Sequence, residues 1–284
     1  MIVAASRTQT AEGWRGGEGS VARTAGSTME VRSDRTPTIE NVPLRTVSFL
    51  VLILSALLFF SPVLARAAAG DVLLREEFTS LEDWRPLTFP KIARHSTYSV
   101  ATDAAQSEFW LKAESDRSAS GIVWKKRYDV YEHPRLRWRW RVENVYEKGD
   151  ATKKSGDDYP VRLYVMFQFD PATASAGKRF RYGFAKAAYG EYPPDSGLNY
   201  VWESRENPAE FVVSPYTDAM VMFLKEKGTA NVGEWVEEEA DVLADYRKAF
   251  GKDPPRTASL AVMNDSDNTG EKAVSFIDWV EIAR

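Results

Sequence analysis

Apolar and polar residues alternate one by one from Arg135 to Val142, where Arg135, Arg137, Arg139 and Arg141 interleave with Leu136, Trp138, Trp140 and Val142. Successive side chains of a strand point to opposite faces. The spacing therefore predicts a half-buried strand with its tryptophans on a core and four guanidinium groups on the other side. A second alternation covers 161–170, with Val161, Leu163, Val165, Phe167 and Phe169 facing inward and Arg162, Tyr164, Met166, Gln168 and Asp170 facing outward. Shorter runs predict strands at 73–78, 98–100, 109–113, 121–125, 180–184, 199–203, 211–214, 220–224, 259–263 and 274–282. One helix interrupts them at 241–250. Asp241 caps it, Val242, Tyr246 and Phe250 share a face at i+4 spacing, and Gly251 followed by Pro254 and Pro255 stops it.

Short strands separated by turn residues predict an all-β fold: an antiparallel jelly-roll β-sandwich with one short helix, of the kind found in carbohydrate-binding and lectin-like domains. The opening strand, ending in Phe78 and followed by Leu81, Asp83 and Trp84, and the closing Phe276-Ile277-Asp278-Trp279-Val280-Glu281-Ile282 resemble the end strands of such sandwiches. Folds do not dictate function. The 144–158 and 170–179 stretches are long loops, which in compact domains are often functional.

The N-terminal part follows another pattern. Residues 1–44 are rich in Gly, Ser, Thr and Arg without apolar periodicity and read as a disordered extension. From 47 to 64 the chain is apolar apart from Ser48, Ser55, Ser61 and Pro62, with Arg45 before it and small residues after it. This is the layout of an export signal over 45–69, or of a membrane anchor if uncleaved, since a span needs about 17 residues. Residues 70–284 are then a single exported domain, periplasmic or secreted, whose only route into a membrane is 47–64.

Charge and composition narrow the chemistry. The net charge is −4, and the part after residue 70 is acidic, which argues against nucleic acid. There is no cysteine, which removes disulfides and thiolate chemistry. With only His95 and His133, no multi-histidine metal site can form. No G-x-S-x-G, phosphate-cradling glycine loop or dinucleotide fingerprint is present.

Three groups remain as candidates. If the 161–170 strand pairs with the arginine strand, Arg162, Tyr164 and Gln168 join Arg137, Arg139 and Arg141 on one face. Such a face offers guanidinium forks for carboxylate or sulfate, plus hydroxyl contacts. Alternatively those arginines pair with Asp157, Asp158 and carboxylates of neighbouring strands. Tyr200 and Trp202, followed by Glu203, are either stacking platforms for sugar rings or core residues. Asp265, Asp267 and Asn268 sit before Gly270 in a segment that reads as a calcium loop or a plain turn. The helix–loop–helix calcium pattern fails, because Phe276 stands where a bidentate glutamate belongs.

The chain resembles the bacterial domain-of-unknown-function 3047 family. The resemblance rests on Trp138-Arg139-Trp140-Arg141-Val142, Lys154-Ser155-Gly156-Asp157-Asp158 with Arg162, Asn199-Tyr200-Val201-Trp202, Ser214-Pro215-Tyr216, the 241–250 helix and Asp265-Ser266-Asp267-Asn268-Thr269-Gly270. It implies a single exported domain and no assigned activity. The residues themselves predict a binding domain for an anionic glycan or another anionic envelope component, with no cofactor beyond an optional calcium ion. A polysaccharide lyase or hydrolase on the same scaffold is the first alternative. In the lyase reading an arginine and Gln168 neutralise a uronate and Tyr164 moves the proton. An envelope structural or interaction protein is the second.

Overall fold

The computed structural model describes residues 71–103, 108–189 and 192–284. The 1–44 extension and the 45–69 segment, with its apolar run 47–64, lie outside these residues. Among the described residues no helix is long and apolar enough to cross a membrane.

The chain opens with β1 (Val72–Glu76), β2 (Trp84–Leu87), β3 (Thr97–Asp103), β4 (Glu108–Asp116), β5 (Ala119–Trp124), β6 (Tyr128–Asp129) and β7 (Arg135–Val142). A single 3-10 turn, Lys154–Gly156, precedes β8 (Arg162–Phe167) and the helix α1 (Ala176–Tyr189). Then come β9 (Ser196–Glu203), β10 (Phe211–Val213), β11 (Met220–Lys227) and β12 (Val236–Asp241). The helix α2 (Val242–Phe250), β13 (Thr257–Asp265) and β14 (Lys272–Ala283) complete the fold.

These strands form a two-sheet sandwich, the fold class expected from the sequence. A six-stranded sheet has the order β12-β7-β14-β4-β3, with β1 beside β14. An eight-stranded sheet has the order β10-β11-β9-β8-β13-β5-β2, with β6 beside β13. Pairing is antiparallel except between β9 and β11, which run parallel because β10 takes the sheet edge and β11 returns between it and β9.

The inward faces of β7 and β9 make the centre of the core. Leu136, Trp138, Trp140 and Val142 are fully buried, as the alternation requires. Trp138 meets Trp140 edge-on at 5.3 Å and Tyr200 at 5.2 Å, while Trp140 lies 6.0 Å from Trp202 across the sandwich. Aromatic pairs at such separations add about 0.5–1.5 kcal/mol each beyond the area they bury. Tyr200 and Trp202 therefore serve the core and are not stacking platforms. Their strand reads toward the facing sheet, the outcome that aromatics at strand spacing usually have.

The α2 helix ends as its residues dictate. Asp241 accepts a hydrogen bond from the Ala244 N–H at 3.0 Å, and Gly251 closes the helix at φ +65°. Four elements differ from the sequence reading: the short strands β2 and β6 are absent from it, α1 is a second helix where one was expected, and β12 is a further strand. Residues 180–184 lie inside α1, because Phe180 and Phe184 fit an i, i+4 spacing as well as a two-residue one. Strand β12 carries Val-Glu-Glu-Glu-Ala-Asp, which has too few apolar residues to announce itself as half-buried.

Candidate functional site

The face imagined for Arg137, Arg139 and Arg141 together with Arg162, Tyr164 and Gln168 does not form. Strand β7 belongs to the six-stranded sheet and β8 to the eight-stranded one, since the 144–158 connection crosses between sheets. The flanks of β7 are acidic. Arg135 lies 3.3 Å from Glu239, and Arg137 is 2.8 Å from Glu239 and 3.5 Å from Glu281. Arg139 reaches Asp278 at 2.9 Å. Arg141 reaches Glu143 at 3.0 Å and lies over the rings of Trp235 and Phe276. The stripe is matched in charge across its strands, and half-exposed pairs of this kind contribute about 0–1 kcal/mol each.

A different arginine organises the outer face of the other sheet. Strand β8 runs between β9 and β13, turns Leu163, Val165 and Phe167 into the core, and turns Arg162 and Tyr164 outward. Arg162 is nonetheless only 6% exposed, because the chain between β7 and β8 folds back over this face. Ala151 and Tyr159 of that segment pack with Val201, Met222 and Leu224 in a second apolar cluster. The segment turns tightly at Gly156, where a Cβ would meet the Asp150 nitrogen at 2.6 Å and the Lys148 carbonyl oxygen at 2.7 Å.

Asp158 ties the same segment to the turn after β13. It accepts hydrogen bonds from the Asn268 N–H at 3.3 Å, the Asn268 side-chain amide at 2.9 Å and the Thr269 N–H at 2.6 Å. The N–H groups of Glu147 and Lys148 donate to Glu271 at 3.0 Å each. Inside this frame Arg162 donates to Asp265, and its Nη1 stands 3.9 Å from Asp157. The rings of Tyr159 and Tyr164 flank the guanidinium carbon at 4.9 and 5.4 Å.

The surroundings of Arg162 hold an unusual number of unsatisfied groups. Arg162 Nε, Asn199 Oδ1 and Glu203 Oε2 are buried and have no hydrogen-bond partner in the protein, while Asp157 Oδ1 and the Tyr159 hydroxyl, equally buried, have only a loose contact with each other. Asn199 sits opposite Tyr164 in the β8–β9 register, and Glu203 follows on the same face of β9. A buried polar atom without a partner costs about 1–3 kcal/mol, so each of these groups takes an ordered water or another partner from outside the chain. Burial also shifts the carboxylates. Loss of water pushes Asp157 up to about 6 despite the nearby Arg162 cation, and pushes Glu203 up to about 7. Asp267 is raised by burial and by the neighbouring Asp158.

Tyr216 forms the open rim. The residue is 42% exposed, and its hydroxyl donates to Asn268 Oδ1 at 2.7 Å with the Lys154 carbonyl oxygen also near, at 3.1 Å. Burial and the charges of Asp157, Asp267 and Asp158 raise its pKa. The turn that carries it has no sequence feature beyond Ser-Pro that would single it out.

The remaining candidates are placed as follows. Gln168 lies past the end of β8 and its N–H donates to the Thr257 carbonyl, while the Tyr164 hydroxyl donates to Met263 Sδ at 3.6 Å. Carboxylate oxygens of Asp158, Asp265 and Asp267 lie within 4.8 Å of one another, a grouping compatible with a cation. Asn268 is occupied by Tyr216 and Asp158. A cation there would share Asp158 with the loop amides and compete with Arg162 for Asp265.

Fold and site together define an all-β two-sheet sandwich with a buried arginine–carboxylate cluster on one outer face. The chain belongs to the DUF3047 family, proteins of unknown function, whose family model matches residues 82–281. No curated protein matches it in sequence. Among solved structures it is similar to the enzymatically active domain of bacteriophage CBA120 tailspike protein 4, at TM-score 0.35 and 4% identity. That match covers 73% of this chain but only 20% of the tailspike chain. A lectin from Bauhinia forficata in complex with GalNAc is similar at TM-score 0.34 and 9% identity, over 74% of this chain and 97% of the lectin. The xyloglucanase domain of NopAA from Sinorhizobium fredii, in complex with cellobiose, is similar at TM-score 0.37 and 9% identity, over 72% of this chain and all of that one (100%). Likeness at this level says nothing about ligand or activity.

Proposed function

We propose that this protein binds a glycan on the outer face of the eight-stranded sheet, between the Arg162 cluster and the exposed ring of Tyr216. The observation that carries the reading is the set of buried, incompletely partnered atoms on Asp157, Tyr159, Arg162, Asn199 and Glu203 beside an exposed aromatic ring. Sugar hydroxyls both donate and accept, which suits a mixed set of acceptors and donors, and a pyranose face stacks on an aromatic ring. Carboxylates outnumber the one buried arginine here, and Arg137, Arg139 and Arg141 are already matched by acids. The charge balance thus favours a neutral glycan over an anionic one. Residues 45–69 would carry the domain to the periplasm or beyond.

The test is a glycan array probed with the purified protein and with Tyr216→Ala. Retention on neutral glycans, weakened about tenfold or more by the substitution, is the expected result, since stacked rings dominate such contacts. Binding confined to uronate or sulfate chains and indifferent to Tyr216 would sink the proposal. Binding to nothing would leave the envelope interaction protein as the better account.

One observation favours hydrolysis as a second reading. Glu203, pushed up to about 7 by burial, keeps its proton into the neutral range, as a general acid requires, while Asp157 at about 6 is largely ionised there, as a base or nucleophile requires. Release of new reducing ends from a bound glycan, abolished in Glu203→Gln, is the corresponding result.

A further inference from the structure

We infer that residues 147–159 form a cover over the outer face of β9, that ligand reaches Asn199 and Glu203 only when it lifts, and that the charge of Glu203 decides how often it does. Its purpose rests on glycan binding as proposed above, whereas the lifting itself needs no ligand. The tip of the cover is a closed unit. The Asp150 N–H donates to the Gly156 carbonyl at 2.8 Å, and the Gly156 N–H donates to the Lys153 carbonyl at 3.0 Å. The Asp150 carboxylate accepts from the Thr152 N–H, the Thr152 hydroxyl and the Lys153 ammonium. A compact loop stitched to itself in this way keeps its shape when its outer ties break.

Those outer ties are mostly polar. Ala151 and Tyr159 supply the apolar hold, against Val201, Met222 and Leu224. The rest are hydrogen bonds to side chains: Glu147 and Lys148 N–H on Glu271, the Gly149 carbonyl on Arg205 Nε at 2.7 Å, and Asp158 on the turn after β13. A segment with few buried apolar contacts opens locally at less cost than global unfolding.

What lies beneath gains from opening. Glu203 is 1% and Asn199 2% exposed, and each has one oxygen without a hydrogen-bond partner. The N–H groups of Arg205 and of Ala151 in the cover reach the Glu203 carboxylate. The charged and titratable groups that face it are Asp150 and Tyr159 of the cover and Arg205 beside it. Arg205 is shared with Asp150 at 3.6 Å, and Lys227, the β11 neighbour of Glu203, gives its ammonium to the Ala209 carbonyl. Water admitted by lifting partners the free oxygens and favours the ionised carboxylate. Under the closed cover burial raises Glu203 to about 7, and in water it returns toward 4.5. Opening therefore becomes easier as pH rises between these values.

Hydrogen exchange of the purified protein, corrected for the intrinsic pH dependence of amide exchange, reads the opening at the 147–156 amides. They are expected to exchange far faster than those of β7 and β9. Their opening constant should rise about tenfold or more from pH 5 to pH 8, the full shift of Glu203 setting a ceiling of about 70-fold. The rise is smaller in Glu203→Gln. Arg205→Ala, at a half-exposed side chain, serves where that variant fails to fold. It cuts a tie and speeds exchange of the cover about tenfold or more at both pH values, with β7 unchanged.

Two results overturn the inference. One is exchange of the cover only together with β7 and β9, which makes it a fixed part of the fold. The other is an equal rise with pH in the parent and in Glu203→Gln. A protein that binds no glycan while its cover opens refutes the binding proposal alone. One that binds a neutral glycan while its cover stays shut refutes the cover alone.

Discussion

Two outer faces of this sandwich carry arginine, and they differ in what surrounds it. On the six-stranded sheet Arg135, Arg137, Arg139 and Arg141 stand half-exposed among Glu239, Glu281, Asp278 and Glu143, each with a partner supplied by its own or a neighbouring strand. On the eight-stranded sheet a lone Arg162 is buried with Asp265 and Asp157 among atoms that have no partner. The first face is rich in charge and low in energy. The second has one cation, and much depends on it. The density of charge along a chain thus does not show where a buried, incompletely partnered arginine cluster lies.

Removing each kind of arginine should widen the contrast most. Arg162→Met leaves Asp265 and Asp157 buried without their cation, which costs about 3–5 kcal/mol. Thermal or denaturant unfolding reads that loss directly. A variant as stable as the parent would mean that the cluster is solvated and that the contrast is false.

The next effect is a dependence on pH. Glu203 has a folded pKa of about 7 against an ordinary 4.5, so the folded state holds the proton more tightly than the unfolded one. The resulting stabilisation is complete below about pH 4.5, declines as pH rises through the interval up to 7, and is absent above it. Glu203→Gln should remove that pH-dependent stabilisation, about 3 kcal/mol in full, an amount set by the size of the shift. Asp157 adds a smaller decline between 3.8 and about 6, also lost as pH rises. Unfolding curves of parent and Glu203→Gln at pH 5 and pH 8 check the sign, and parallel behaviour of the two proteins would refute it.

The smallest effect belongs to the arginine stripe. Arg137→Ala should cost under about 1 kcal/mol, shrinking further in high salt, because its pairs are open to water. A loss as large as that of Arg162→Met would erase the distinction between the two faces.

The sequence announced the faces of individual strands and was silent on their neighbours. The alternation in β7 and β8 placed Trp138, Trp140, Leu163 and Val165 inside, because the two-residue period depends on nothing beyond the strand itself. Tyr200 and Trp202 also follow that period, but period alone does not say which face of a strand is covered. Which arginines meet which acids depended on β12, whose Glu237, Glu238 and Glu239 look like solvated chain until they are paired with β7. The Arg162 cluster depended on a crossing between sheets that no local pattern records. Asp157, Asp158 and Asp265 were legible as candidates. Tyr159, Asn199 and Tyr216 became visible only when the fold brought them to one place.

The latch that Asp158 forms with Asn268 and Thr269 also has a meaning in time. Its partners are about 110 positions apart along the chain, and Arg162 and Asp265 are separated by 103. Closing loops of that size is entropically costly, so contacts of this range tend to form after the local hairpins are in place. The cluster can close only after β8 and β13 have found each other, so the proposed binding surface is among the last parts of the protein to come into being. A newly made or partly unfolded chain would keep much of its tryptophan core and still lack the Arg162–Asp265 cluster.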